Sequence, residues 1–251
     1  MRYDPGRDLG WLLLRPWVAI PRLVHVLWSL AGLVLVLLLR GGSSDPAVQQ
    51  GLARRILNTL TGLGPCFIKL GQALSTRPDL VRRDWLEELT RLQDDLPAFP
   101  HATALACIRE ELGAPAEELF EEFPDTPIAA ASLGQVYKAR LQGQHWVAVK
   151  VQRPNLTFIL RRDLVLIRAL GVMTAPLLPL NLGFGLGGII DEFGRSLFEE
   201  IDYGLEAANA ERFSALFADN DAVYIPKVER MLSSTRVLTT TWIDGAKMRD
   251  S

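Results

Sequence analysis

Lys150 lies in the run Val147-Ala148-Val149-Lys150-Val151, an ammonium flanked by valines suited to a buried sheet. A lysine in such a setting needs a counter-charge, because burying an unpaired ion is costly. Strand alternation predicts Trp146, Ala148, Lys150 and Gln152 on one face and the three valines on the other. A small residue two positions before a lysine, both facing one cleft, leaves room for a flat adenine and supplies a cation for its phosphates. Upstream, Ala129-Ala130-Ala131-Ser132-Leu133-Gly134 forms a small-residue loop that lets backbone approach a phosphate. Alanine resists the φ > 0 conformations that glycine permits, so the loop is expected to be stiffer than a glycine-rich one. Downstream, acids cluster at Glu199, Glu200, Asp202 and Glu206. As one helix, this stretch would place Asp202 and Glu206 on a shared face, with Glu200 off it.

The elements that must position these groups change character along the chain. Residues 1–44 carry Arg2, Arg7, Arg15, Arg22 and Arg40 against Asp4 and Asp8, a local charge of +3 within a chain of net charge -2. Within them, residues 23–39 hold no full charge, a run at the lower edge of the ~17 to 25 residues that cross a bilayer. Flanking arginines and Trp11, Trp17 and Trp28 suit an interfacial anchor. A cleavable leader is not the expectation, because the run starts far from Met1 and is too long for an h-region; the competing expectation is an all-apolar helix buried against the protein. Residues 45–125 read as helices: Ala47 to Leu60, a restart at Gly64-Pro65 ended by Pro78, an amphipathic stretch around Trp85, and a helix stopped by Gly113. Residues 126–251 mix strands and helices. A hairpin pairs Gln135–Leu141 with Trp146–Gln152, Leu156–Met173 is helical, Asp191–Phe217 forms one long helix pattern, and Lys227–Met231 and Thr235–Trp242 read as further strands.

Composition excludes several classes. With 49% hydrophobic and 22% charged residues, the chain can bury a core and is not a disordered tail. Its 27 basic and 29 acidic residues leave no bulk positive field, so nucleic acid is not an expected partner. Cys66 and Cys107, with His25, His101 and His145 scattered, make no metal cluster, and they read as half-buried thiols in a reducing compartment. Gly183-Phe184-Gly185-Leu186-Gly187-Gly188 fits a dinucleotide fingerprint, but Pro176 and Pro179 spoil the strand that must precede one, so it reads as a turn between helices.

Four stretches in order, FIKLGQALSTRPDL at 67–80, AAASLGQVYKA at 129–139, VAVKVQRP at 147–154 and FEEIDYGLEAANAE at 198–211, resemble the UbiB (AarF) family of atypical kinases. The likeness runs from about Ala47 onward and is closest in wording to cyanobacterial and plastid members. It implies an α+β chain: a protein-kinase-like N-lobe of a small antiparallel sheet plus helices, preceded by an all-helical extension. The expected divisions are a membrane-associating segment at 1–44, the extension at 45–125 and the N-lobe at 126–251. The resemblance further implies that Lys150 holds ATP phosphates and pairs with Glu206, beneath a loop of Ala129, Ala130, Ala131, Ser132, Leu133 and Gly134, with Ala148 beside the base. It makes Lys69 and Gln72 the K-x-G-Q motif of an extension that folds over the active site, and Glu200 and Asp202 the E-x-D motif that meets it.

The family is linked to isoprenoid quinone biosynthesis, of ubiquinone or plastoquinone type, or to lipid homeostasis at membranes, through ATPase or small-molecule kinase activity. Partners implied are membrane lipid or the quinone-biosynthetic machinery, with a homodimer through the extension. Localisation is expected at a membrane, on its cytoplasmic or thylakoid face. Kinase chemistry also needs a catalytic-loop Asp and Asn and a metal-binding Asp. None follows here before Ser251, and Asp202-Tyr203-Gly204 precedes Trp242-Ile243-Asp244-Gly245, which resembles the strand leading into the interlobe hinge, so it is not read as the metal site. The expectation is therefore an N-lobe without a C-lobe, with Mg²⁺ only where a C-lobe completes it. The competing expectation is a truncated pseudokinase acting as a membrane-associated scaffold.

Overall fold

The computed structural model describes residues 3–76, 81–90, 97–143, 145–177 and 185–245. In chain order the helices are α1 (Pro5–Leu13), α2 (Pro16–Arg40), α3 (Pro46–Leu63), α4 (Pro65–Ser75), α5 (Arg83–Thr90), α6 (His101–Leu112), α7 (Ala116–Leu119), α8 (Leu156–Thr174), α9 (Leu186–Glu200) and α10 (Tyr203–Leu216). The strands are β1 (Ala129–Ala130), β2 (Gly134–Arg140), β3 (Trp146–Gln152) and β4 (Val237–Thr241). Two compact units arise, and neither is continuous in sequence: residues 1–96 join 155–198, and 97–154 join 199–251. Pro78, Pro179 and Gly183-Phe184 of the glycine run lie outside the described residues.

The first unit is helical. Proline opens α1, α2, α3 and α4, where its missing N–H would be unpaired in any case and its fixed φ already suits the helix. Asp4 and Asp45 cap α1 and α3 by accepting from the backbone N–H of Arg7 and Ala47. Gly64 joins α3 to α4 at φ 96, a conformation open to glycine. Leu52, Ala53, Leu60, Leu63, Cys66 and Phe67 are buried where α3 meets its neighbours. The fully buried Asp163 of α8 is held by Arg22 of α2, whose Nε and Nη2 lie 2.9 and 2.7 Å from its carboxylate, and by Arg162 Nε at 2.8 Å.

The second unit is built on one antiparallel sheet in the order β1-β2-β3-β4. Val149 stands opposite Tyr137 of β2 and Thr239 of β4, and Lys150 stands opposite Val136 and Leu238. Tyr137, Ala139, Val147, Val149, Val151 and Val237 are fully buried in one core cluster with Ala104, Cys107 and Ile108 of α6. The alternation expected for β3 is therefore realised, with the valines inward and Ala148 and Lys150 on the half-buried opposite face. The chain belongs to the mixed class: helices plus a small four-stranded antiparallel sheet.

Several local expectations are corrected. Residues 227–231 form no strand. Val228 makes a single bridge to Thr240, and Arg230–Leu232 is a 3₁₀ turn. Thr239 satisfies this turn locally, its hydroxyl donating to the Leu232 carbonyl at 2.6 Å, so no ladder extends. Ala129-Ala130 is strand rather than loop. The helix pattern over 191–217 breaks after Glu200, and Asp202, at φ -92 and ψ 91, caps α10 by accepting from Gly204 N–H at 3.1 Å. Both thiols are buried, Cys66 and Cys107 alike, rather than half-buried.

Candidate functional site

Lys150 Nζ lies 3.0 and 2.7 Å from the two carboxylate oxygens of Glu206. It also sits 4.6 Å from the ring centroid of Tyr203, a cation–π distance. With 33% of the lysine side chain and 44% of the glutamate exposed, the pair contributes only ~0–1 kcal/mol to stability. Its consequence is position: the ammonium is held on the half-buried face of β3. It borders a cleft of about 600 Å³ lined by Lys150, Glu199, Glu200, Leu205, Glu206 and Asn209.

The break between α9 and α10 aims these acids. Gln152, buried two residues after Lys150, donates through Nε2 to the Ile201 carbonyl at 2.6 Å, and Tyr203 N–H donates to the Thr235 carbonyl at 3.1 Å. Anchored at both ends, the chain turns at Asp202, so Glu200 faces the same cleft as Glu206 although a continuous helix would part them. Glu200 thus joins the site, and Asp202 serves as the helix cap.

The alanine turn is held from behind. Ala131 N–H donates to the Gly134 carbonyl at 2.8 Å, and Arg153 N–H to the Leu133 carbonyl at 2.9 Å. The Arg153 guanidinium donates to the carbonyls of Ala131 at 3.0 Å and Pro97 at 2.7 Å, and lies over the Phe99 ring. Burial pushes its pKa below the ordinary value. Because a trans peptide points N–H and C=O in opposite directions, fixing the Ala131 carbonyl toward Arg153 turns the Ser132 N–H away from it. Ser132, Leu133 and Gly134 are buried, whereas Ala129 and Ala131 are exposed and Ala130 is intermediate. Gly134 packs so closely that a Cβ there would meet the Tyr203 hydroxyl at 2.5 Å and the Val151 carbonyl at 2.6 Å.

Lys69 and Gln72 lie on α4 of the helical unit, half-buried. Two residues of the sheet unit matter to the site without an isolated sequence signal. Arg153 acts on carbonyls, which no residue pattern encodes. Tyr203 lies beneath Lys150 with its hydroxyl buried and unpartnered, and burial together with Glu206 and Glu200 pushes the phenol far above its ordinary pKa. Its place three residues before Glu206, one helical turn, is the signal that could have found it. Among the described residues no group of three or more His, Cys, Asp or Glu side chains is arranged to hold a metal ion.

Residues 91–251 match the sequence model of the ABC1 atypical kinase-like domain. The chain belongs to this ABC1 family, of UbiB/AarF type. ABC1 relatives include an uncharacterized protein of Synechocystis, 45% identical over all of this chain and 44% of its own length. Another is Protein ACTIVITY OF BC1 COMPLEX KINASE 1, chloroplastic, of Arabidopsis thaliana, 47% identical over 82% of this chain and 30% of its own length. The chain thus spans less than half the length of these ABC1 relatives. A Mycobacterium tuberculosis protein solved as a complex with erythromycin is similar in structure, with a TM-score of 0.51 and 34% identity over 72% of this chain and 45% of that one. The fold is therefore the kinase-like ABC1 fold.

Proposed function

We propose that the sheet unit is the nucleotide-holding part of an ATP-dependent phosphotransferase or ATPase of ABC1 type that works at a membrane, in isoprenoid quinone biosynthesis or lipid homeostasis. The observation that carries this reading is the two-oxygen grip of Glu206 on Lys150, which pre-orients a cation at the mouth of an acid-lined cleft. A positioned cation facing a phosphate stabilises charge without reorganising when the substrate binds. In this reading bound ATP supplies the transferable phosphoryl group. Lys150 grips its phosphates, Glu206 and the Tyr203 ring keep the ammonium in place, the turn at Ala129–Gly134 covers the phosphates, and Ala148 leaves room for the base. Mg²⁺ enters this reading only where a C-lobe completes the site, held there through carboxylates and the phosphates themselves. Membrane work is supported by α2, a helix long and apolar enough to cross a bilayer, and by relatives named chloroplastic.

The test is ATP-induced thermal stabilisation of a version completed by a C-lobe, followed by its ATP hydrolysis. Wild-type protein should show a nucleotide-dependent rise in Tm, Lys150→Ala should abolish it, and Glu206→Gln should weaken it. An unchanged ATP response in Lys150→Ala would sink the nucleotide assignment. A wild-type chain that binds vesicles and ignores ATP would favour the membrane-associated pseudokinase scaffold instead.

A further inference from the structure

We propose that the groove between α2 and α3 seats the headgroups of an anionic bilayer, with α2 lying along the membrane surface rather than crossing it. This deepens the membrane part of the reading above, rests on it, and does not depend on the nucleotide cleft.

The outer side of α2 is a broad apolar band. Trp17, Ile20, Val24, Leu27, Trp28, Val34, Leu35, Leu38 and Leu39 are all exposed. No acid occurs in α2, and Arg15 and Arg40 stand at its ends. The band is two residues wide at 27–28, 34–35 and 38–39, broader than the narrow seam flanked by charges that a second helix of the same kind would need. A bilayer interface fits it, with tryptophans at headgroup depth.

The other side of α2 packs on the helical unit, where Val26 and Leu33 are buried and Val18, Ala19 and Leu23 meet the apolar cluster of Leu12, Val165 and Leu166. Arg22 reaches the buried Asp163, and α3 runs beside α2. A groove of about 320 Å³ runs between the two helices, lined on one side by His25, Trp28 and Ser29 and on the other by Arg55, Asn58 and Thr59. These residues face the middle of α2, so a spanning α2 would carry the Arg55 guanidinium and the Asn58 amide toward the hydrocarbon centre, where a charge is strongly disfavoured. Laid in the interface, the same residues meet phosphate oxygens. The groove wall holds an arginine and a histidine and no carboxylate. Trp28 belongs to both features: it is 80% exposed in the apolar band and lines the groove, which sets acyl chain and headgroup side by side. A Cβ at Gly32 or Gly62 would meet nothing within 4 Å, so these positions open onto free space along the groove.

The test is flotation of the chain with vesicles of phosphatidylcholine alone or mixed with phosphatidylglycerol, plus labelling of cysteines placed at Leu14 and Ser43, beyond the two ends of α2, with a membrane-impermeant maleimide. We expect binding to the mixed vesicles, release by alkaline carbonate, and labelling of both ends from outside. Arg55→Gln should lower binding about fivefold, the value of one basic residue near an anionic surface. Gly62→Met, which fills the groove from an open position, should do likewise while leaving Tm unchanged. Carbonate-resistant binding with only one end labelled would make α2 a spanning helix and overturn the proposal while leaving membrane association intact. Equal binding to both vesicle types would remove the headgroup role. No flotation at all, with a dimer in solution, would assign the band to a second copy and take the membrane reading with it.

Discussion

The backbone of Gly134 passes so near the Tyr203 hydroxyl that one added methyl group would reach it at 2.5 Å. The alanine turn and the start of α10 are thereby fitted to each other at the foot of the Lys150 pocket. Gly134→Ala is expected to cost about 1–3 kcal/mol by overpacking, read from the urea midpoint. Tyr203→Phe in that background should recover only part of the loss, because the Val151 carbonyl, 2.6 Å from the same Cβ, cannot retreat. Full recovery would show that the hydroxyl alone sets the constraint.

Tyr203→Phe by itself has the opposite expectation. The hydroxyl is buried with no hydrogen-bond partner, so its removal deletes an unpaired polar group and leaves the ring beneath Lys150. Stability should hold or rise by up to about 1 kcal/mol in thermal or urea unfolding. A loss above that size would mean the hydroxyl is bonded in solution.

Arg153 is expected to govern the order of the alanine turn. Arg153→Lys keeps the charge, but a single ammonium cannot reproduce a fork onto the Ala131 and Pro97 carbonyls. Amide exchange over 131–134 should accelerate in Arg153→Lys and more so in Arg153→Ala, with a stability loss of about 1–3 kcal/mol for two charge-assisted bonds. Unchanged exchange would separate the arginine from the turn.

Glu111 gives an acid-side signature. Burial alone would raise its carboxyl, but the Ser234 hydroxyl and the Arg236 guanidinium, 2.8 Å away, outweigh it and hold the pKa below the ordinary value. A carboxylate lowered on folding stabilises fully above its unfolded value of ~4.3, and that contribution disappears as pH falls through the folded value. The stability difference between wild type and Glu111→Gln should therefore be present at neutral pH and shrink toward zero in strong acid, measured by urea midpoints across the range. A difference independent of pH would contradict this.

Both thiols should be inert in the folded chain. Burial raises Cys66 well above the ordinary thiol range, reinforced by Asp163 and opposed by Arg22 and Arg162, and burial likewise raises Cys107. Thiolate is the reacting form, so neither should take up iodoacetamide at neutral pH until denaturant is added. Rapid native labelling of either would mean local opening around α4 or α6.

The face of β3 is legible in the sequence because a period of two is local: each valine that has to be inside alternates with Ala148 or Lys150. The pairing of Lys150 with Glu206 is legible only through resemblance, since 56 residues separate them. The break at Asp202 escapes a local reading, because what fixes it is remote: the Gln152 amide at the Ile201 carbonyl and the Thr235 carbonyl at Tyr203 N–H. A local clue exists in Asp202-Tyr203-Gly204, an acidic cap two residues before a glycine N–H. The expected strand at 227–231 fails for a similar reason. Side-chain oxygens of Ser233 and Thr239 close the turn around it, which residue-type preference does not register.

Gln152 and Lys150 both project from β3, and both end on the segment from Ile201 to Glu206. The strand and the base of the acidic helix are thus riveted at two points, one neutral and one ionic. Salt or a charge-removing substitution can undo the second rivet and leave the first, so the helix stays docked when its glutamate lets go. A lost grip on the ammonium should accordingly register as an altered ligand response from a chain of nearly unchanged shape.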